Sequence, residues 1–152
     1  MEGRWLPPGL HGFDALRPGD RIATPRRAVP AALVDAFAAL TGDRFAIHMS
    51  DAAARDAGFG GRVAHGLLVL ALIDGLKNRA AARFDAVASL GWRWSFIAPV
   101  LAGQEIGAVL TVAGKRATRR PDRGILRLAV TATDGQGAVL QRGWNLLMVR
   151  RP

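Results

Sequence analysis

One stretch leaves the rest of this sequence little freedom. Leu67-Leu68-Val69-Leu70-Ala71-Leu72-Ile73 is apolar at every position. It is far shorter than the roughly 18 residues a membrane span needs. It follows a glycine-rich hinge, Phe59-Gly60-Gly61, so a helix is expected from about Ala64–Gly66 to Ala82. A helix apolar on all sides is buried on all sides. The remaining chain must therefore wrap it.

The second half has the pattern to do so. Trp92, Trp94 and Phe96 alternate with Arg93 and Ser95 and stop at Pro99. Ile106, Ala108, Leu110 and Val112 alternate next, then Leu126, Leu128 and Val130, then Trp144, Leu146 and Met148. Period-two alternation marks half-buried strands, and Asp134-Gly135-Gln136-Gly137 is a turn between two of them. Upstream, residues 1–20 are rich in Gly and Pro and read as irregular, and Arg21 to Val29 reads as a short strand. Pro30 suits the first position of a helix carrying Leu33, Phe37 and Leu40 on one face, capped by Gly42. Ser50 caps a second, short helix through Asp51 to Ala57, which Gly58 ends. The fold class expected is α+β, a hot-dog arrangement with a long buried central helix wrapped by a curled antiparallel sheet. With 152 residues, the chain reads as one domain over 1–152.

Composition narrows the chemistry. There is no Cys, which excludes disulfides, thiolate metal sites and cysteine nucleophiles. Three His without paired spacing argue against a metal site. The N-terminus lacks the order of a secretory signal, so a cytoplasmic location is expected. Lys and Arg number 21 against 12 Asp and Glu, a formal charge of +9. That excess is open to three readings: a compositional bias toward Arg, an anionic small ligand, or a nucleic acid. The charges are scattered, and the one dense group, Lys115 to Arg123, is broken by Pro121 and reads as a hairpin tip.

The densest chemistry lies in Thr41-Gly42-Asp43-Arg44-Phe45-Ala46-Ile47-His48. A carboxylate and an imidazole five residues apart, in a loop between two helices, can turn into one pocket as an acid–base pair around a water. Spacing alone leaves open whether they do so, or whether Asp43 caps the second helix with His48 packed beneath it. Gly60, Gly61 and Gly66 either admit a ligand or allow tight packing of helix on sheet. If the first, the backbone N–H of Gly66 at a helix N-terminus can hold a developing oxyanion.

These segments resemble the MaoC-type hydratases, hot-dog proteins that include (R)-specific enoyl-CoA hydratases. The resemblance is carried by Phe37 through Asp43 to His48, by Phe59-Gly60-Gly61, by Ala64-His65-Gly66-Leu67 and by Phe96-Ile97-Ala98-Pro99-Val100 with Gly103. The ending Leu147-Met148-Val149-Arg150-Arg151 fits as well, so the likeness runs from Phe13 onward. It implies hydration of an enoyl thioester of coenzyme A, with Asp43 and His48 as the catalytic pair and Gly66 holding the thioester oxygen. It implies no cofactor beyond the coenzyme A of the substrate, and at least a homodimer. Phe45, Gly61, Arg62 and His65 become candidate substrate contacts. Arg62 and the cluster from Arg116 to Arg123 become candidate phosphate contacts, and neither nucleic acid nor membrane is expected as a partner. Phe45 and Ala46 depart from the family's Asn-Pro. A thioesterase, or an acyl-thioester-binding protein without turnover, stands as the alternative.

Overall fold

Residues 3–152 are described by a computed structural model. Met1 and Glu2, part of the segment expected to be irregular, lie outside the described residues. The rest of that segment is not wholly irregular. It holds a short strand β1 (Gly9–His11) and a 3-10 turn at Phe13–Ala15. The strand expected over 21–29 is two, β2 (Arg21–Ala23) and β3 (Arg27–Ala28), separated around Pro25, which has no N–H for a sheet ladder.

Four helices follow: α1 (Ala31–Thr41), α2 (Ala46–Met49), α3 (Asp51–Asp56) and α4 (Gly66–Lys77). Then come β4 (Ala82–Phe84), β5 (Ala86–Phe96), β6 (Glu105–Ala117), β7 (Arg123–Thr133) and β8 (Val139–Arg150). Gly42 ends α1 in the left-handed region at φ 79°, and its N–H returns to the Ala38 carbonyl. The Ser50 hydroxyl oxygen accepts from the Ala53 N–H and starts α3. Leu33 and Phe37 of α1 pack against the core as expected, joined by the buried Val34 and Ala38, but Leu40 is 82% exposed.

The sheet is six-stranded and antiparallel. Its order is β2-β6-β7-β8-β5, with β3 pairing the other end of β6, and β1 pairs β4 in a separate parallel ribbon. α4 lies on one face. Leu68, Val69, Ile73 and Leu76 join Leu110, Val112, Leu128, Val130 and Leu147 in one buried cluster.

The expected long helix wrapped by a curled sheet is not what the chain builds. α4 has 12 residues and stops at Asn78. Asp74, Lys77, Asn78 and Arg79 turn the sequence polar there, and Ala82 already belongs to β4. The helix is not buried all round either. Leu67 is 61% exposed, Ala71 is exposed, and Leu70 and Leu72 are half-buried. A one-layer sheet with a free edge at β5 covers only one stripe of a helix. The architecture is therefore hot-dog-like α+β, with several short helices on an open antiparallel sheet.

A bulge and an ion pair fix the two ends of this framework. Ala132 pairs with Gln141 but Thr133 pairs with Val139, so Leu140 is an extra residue, a bulge at the start of β8. Leu140 and Gln141 are consequently both buried although adjacent. At the N-terminal end, the buried Asp20 carboxylate accepts from Arg4 Nε at 2.9 Å, Arg4 Nη2 at 2.8 Å and the Arg17 N–H at 2.8 Å. Burial pushes that carboxyl up, but Arg4 and Arg17 together hold it below the ordinary aspartate range.

Candidate active site

The segment between α1 and α4 brings its polar groups to one place because it cannot run straight. The left-handed turn at Gly42 reverses the chain out of α1. The Asp43 N–H then donates to the Thr41 hydroxyl, and the Asp43 carboxylate accepts from the Phe45 N–H at 3.3 Å. That is an Asx-type turn, in which a short polar side chain substitutes for backbone pairing. α2 begins at once, so the expected loop is partly helical. Its third residue, His48, is carried inward and is 7% exposed.

His48 Nδ1 lies 2.7 Å from the Val63 carbonyl. A carbonyl only accepts, so Nδ1 carries a proton and Nε2 is the nitrogen left for the pocket. His65 is the complementary case. Its Nε2 lies 2.8 Å from the Asp43 carbonyl and must donate, and its Nδ1 is buried without a partner. The two imidazoles stack at 3.9 Å between centroids, Phe37 meets His65 edge-on, and Phe45 lies parallel to His48 at 6.2 Å. His65 thus ties the backbone beneath Asp43 to the entrance of α4. The Asn-Pro expected at 45–46 is absent, and this bond across the fold restrains the loop.

A pocket of about 460 Å³ opens on these groups. Asp43, Phe45, His48, His65 and Gly66 all line it, with Phe59, Leu67, Phe96, Ile97 and Pro99 as apolar wall. Gly66 is the first residue of α4, and the helix makes its first hydrogen bond only at Val69, to the His65 carbonyl. The N–H groups before Val69 therefore face the end of the helix without intrahelical partners. Gly66 is also a steric requirement. A Cβ there would lie 2.5–2.7 Å from the Phe96 ring.

Gly61 and Arg62 do not line this pocket. The Arg62 guanidinium is committed to the His48 carbonyl and the Asp35 carboxylate, and the Arg62 N–H donates to Asp51 at 2.8 Å. It braces the carbonyl side of α2 from behind instead of facing a ligand. The Arg116 to Arg123 cluster lies at the β6–β7 turn and contributes nothing to the lining. Gln141 does line it, and sequence reasoning misses it. The alternation expected of β8 runs through Trp144, Leu146 and Met148, but its buried face carries Gln141, Asn145, Leu147 and Val149, and Trp144 and Leu146 are exposed.

Ligand atoms of Asp43, His48 and His65 lie within 4.8 Å of one another. Donors around one tetrahedral zinc-type ion stand about 3.4 Å apart. The three groups are thus close enough together to hold one small polar guest.

The MaoC like domain matches residues 15–133. Protein MaoC of Klebsiella aerogenes is 38% identical over 112 residues, 73% of this chain, and the chain spans only 32% of that relative's length. The 3-hydroxybutyryl-CoA dehydratase of Methylorubrum extorquens is 34% identical over 115 residues, covering 76% of this chain and 70% of that protein. Among solved structures, the MaoC-like dehydratase from Rhodospirillum rubrum superposes with a TM-score of 0.80 at 28% identity, over 93% of this chain and 99% of that one. A match over most of the chain, in sequence and in backbone, places this protein in the MaoC-like family of hot-dog proteins.

Proposed function

We propose that the protein is a hydratase/dehydratase of thioesters that adds water across a trans-2-enoyl-CoA to give the 3-hydroxyacyl-CoA. The observation that carries this is the state of His48. With Nδ1–H given to Val63, its free Nε2 faces the same pocket as Asp43. The name of the Methylorubrum relative, a dehydratase of a 3-hydroxyacyl-CoA, supports the substrate class.

The steps balance without a cofactor. A water held between Asp43 and His48 gives its proton to that pair while its oxygen attacks the β-carbon. The C=C electron pair shifts toward the thioester oxygen, which the Gly66 N–H stabilises as it gains charge. The pair then returns a proton to the α-carbon. The proton belongs to the pair and not to either residue alone. Phe45 and His65 complete the contacts, Phe45 as apolar cover and His65 as the holder of the loop.

A homodimer is part of this reading. Among the described residues β5 is an edge strand of 11 residues paired only to β8, and Val87, Leu90 and Phe96 are exposed on it. A long apolar edge is stable in solution when a second copy pairs with it. Light scattering at working concentration reads the mass directly, and a monomer would remove this part.

The activity is tested by incubating the protein with crotonyl-CoA and longer enoyl-CoAs and following loss of enoyl absorbance, with free thiol assayed in parallel. Hydration without thiol release is expected. Thiol release identifies a thioesterase, and tight binding without turnover identifies a binding protein.

A further inference from the structure

Gln141 is the polar side chain of this region that the proposed reaction leaves without a role, although it lines the pocket and is 2% exposed. Burying a carboxamide costs free energy unless its groups are paired. Its oxygen accepts from Trp94 Nε1 at 2.8 Å. An indole N–H only donates, so this bond decides which way the amide faces. The nitrogen consequently points to α4 and donates to the Gly66 carbonyl at 3.2 Å. Trp94, Phe96 and Gln141 sit together because Phe96 pairs with Gln141 across β5 and β8. Phe96 lies against the α-carbon of Gly66. The first residue of α4 is thus held at its α-carbon by a ring and at its carbonyl by an amide.

Resting on the reading of Gly66 as the oxyanion donor, we infer that Gln141 is a positioning residue. Its carboxamide, held in one orientation by Trp94, sets the tilt of the first turn of α4. With it goes the direction of the N–H groups that meet the substrate's thioester oxygen. The arrangement is a relay: indole to amide to helix, with Trp94 acting only through Gln141.

The test uses the full chain with Q141M, which keeps length but has no donor, W94F, and the two combined. Misplacing an oxyanion donor slows chemistry more than binding, so Q141M is expected to lower kcat about tenfold with KM within about twofold. W94F lowers kcat in the same manner by about threefold, and the double variant matches Q141M because the two act as one unit. Losses that multiply, an unaffected Q141M, or an unaffected W94F beside an impaired Q141M overturn the relay. A second readout does not need turnover. In amide-resolved NMR spectra the Gly66 N–H resonance moves in both single variants, and its staying in place in either one overturns the inference. If wild type hydrates no enoyl-CoA, the functional reading fails, and the resonance alone decides for or against the relay.

Discussion

Two of the places where this molecule buries polar groups do it in opposite ways. At Asp20 each oxygen of the carboxylate is occupied, by two guanidinium nitrogens of Arg4 and the Arg17 N–H. The Asp20 N–H and C=O are also paired, with Arg17 and Val112. At the pocket, His65 Nδ1 is buried with no partner, His48 keeps Nε2 free, and Asp43 bonds only a single N–H at 3.3 Å. A paired buried group contributes stability, whereas an unpaired one costs it. The first region serves the fold. The second leaves its valences open for water and substrate, and stands on bonds made by its backbone: Val63 and Asp43 carbonyls, not side chains, hold the imidazoles.

The contrast breaks most visibly under mutation of the pocket. Asp43→Asn should lower the hydration rate by about a thousandfold while leaving the thermal midpoint nearly unchanged, and His48→Ala should lower the rate as far with a lower midpoint as well, because it removes a buried ring bonded to the Val63 carbonyl. A loss of folding instead of rate would make the pocket structural. Asp20→Ala should behave in reverse. It leaves Arg4 and the Arg17 N–H without their acceptor, costs about 2–3 kcal/mol in denaturant titration, and leaves kcat alone at 25 °C. His65→Phe keeps the ring but drops the bond to the Asp43 carbonyl. We expect kcat to fall about tenfold with stability held, because the unpaired Nδ1 goes with it. The smallest effect is in pH. The Asp20 carboxyl lies lower in the folded chain than in the unfolded one. Its contribution is therefore complete above the ordinary aspartate value and is lost as pH falls through the folded one. Melts of wild type and Asp20→Ala should differ by a constant amount from pH 7 to about 5 and converge below about 4; a constant gap at all pH values would mean that the carboxylate's charge is irrelevant.

Much of this architecture is legible in one dimension, for physical reasons that also mark where legibility ends. The strands are visible because one face is wet and the other dry, and the alternation of Leu126, Leu128 and Val130 records that. Gly42 and Ser50 are visible because a left-handed turn and an N-cap each demand few residue types. The apolar run in α4 misleads because seven apolar residues do not say how many sides the sheet can reach. Exposure of Leu67 is a fact about what lies beside the helix, not about the helix. The pocket's named residues are legible through order and spacing. Their partners are not, since Val63 and Asp43 act through carbonyl groups that every residue has. The partners of Arg62 are hidden for a related reason: a charge in a sequence does not show that Asp35 and a helix carbonyl bond it. Gln141 is invisible because Trp144 and Leu146 mark the wrong face of β8 as the dry one, and the buried face also carries the polar Asn145.

The bulge at Leu140 ties together distant parts of the chain. Leu140 supplies a carbonyl to both Ile97 and Ala98 because one extra residue stands between the turn at 134–138 and the strand proper. Without it Val139 and Gln141 would follow one another opposite Thr133 and Ala132 as an unbroken ladder, so Gln141 would keep its side while the shared carbonyl would be lost. The hairpin end, far from Asp43 in sequence, thus fastens two residues of the pocket wall, Ile97 and Ala98, through one backbone carbonyl.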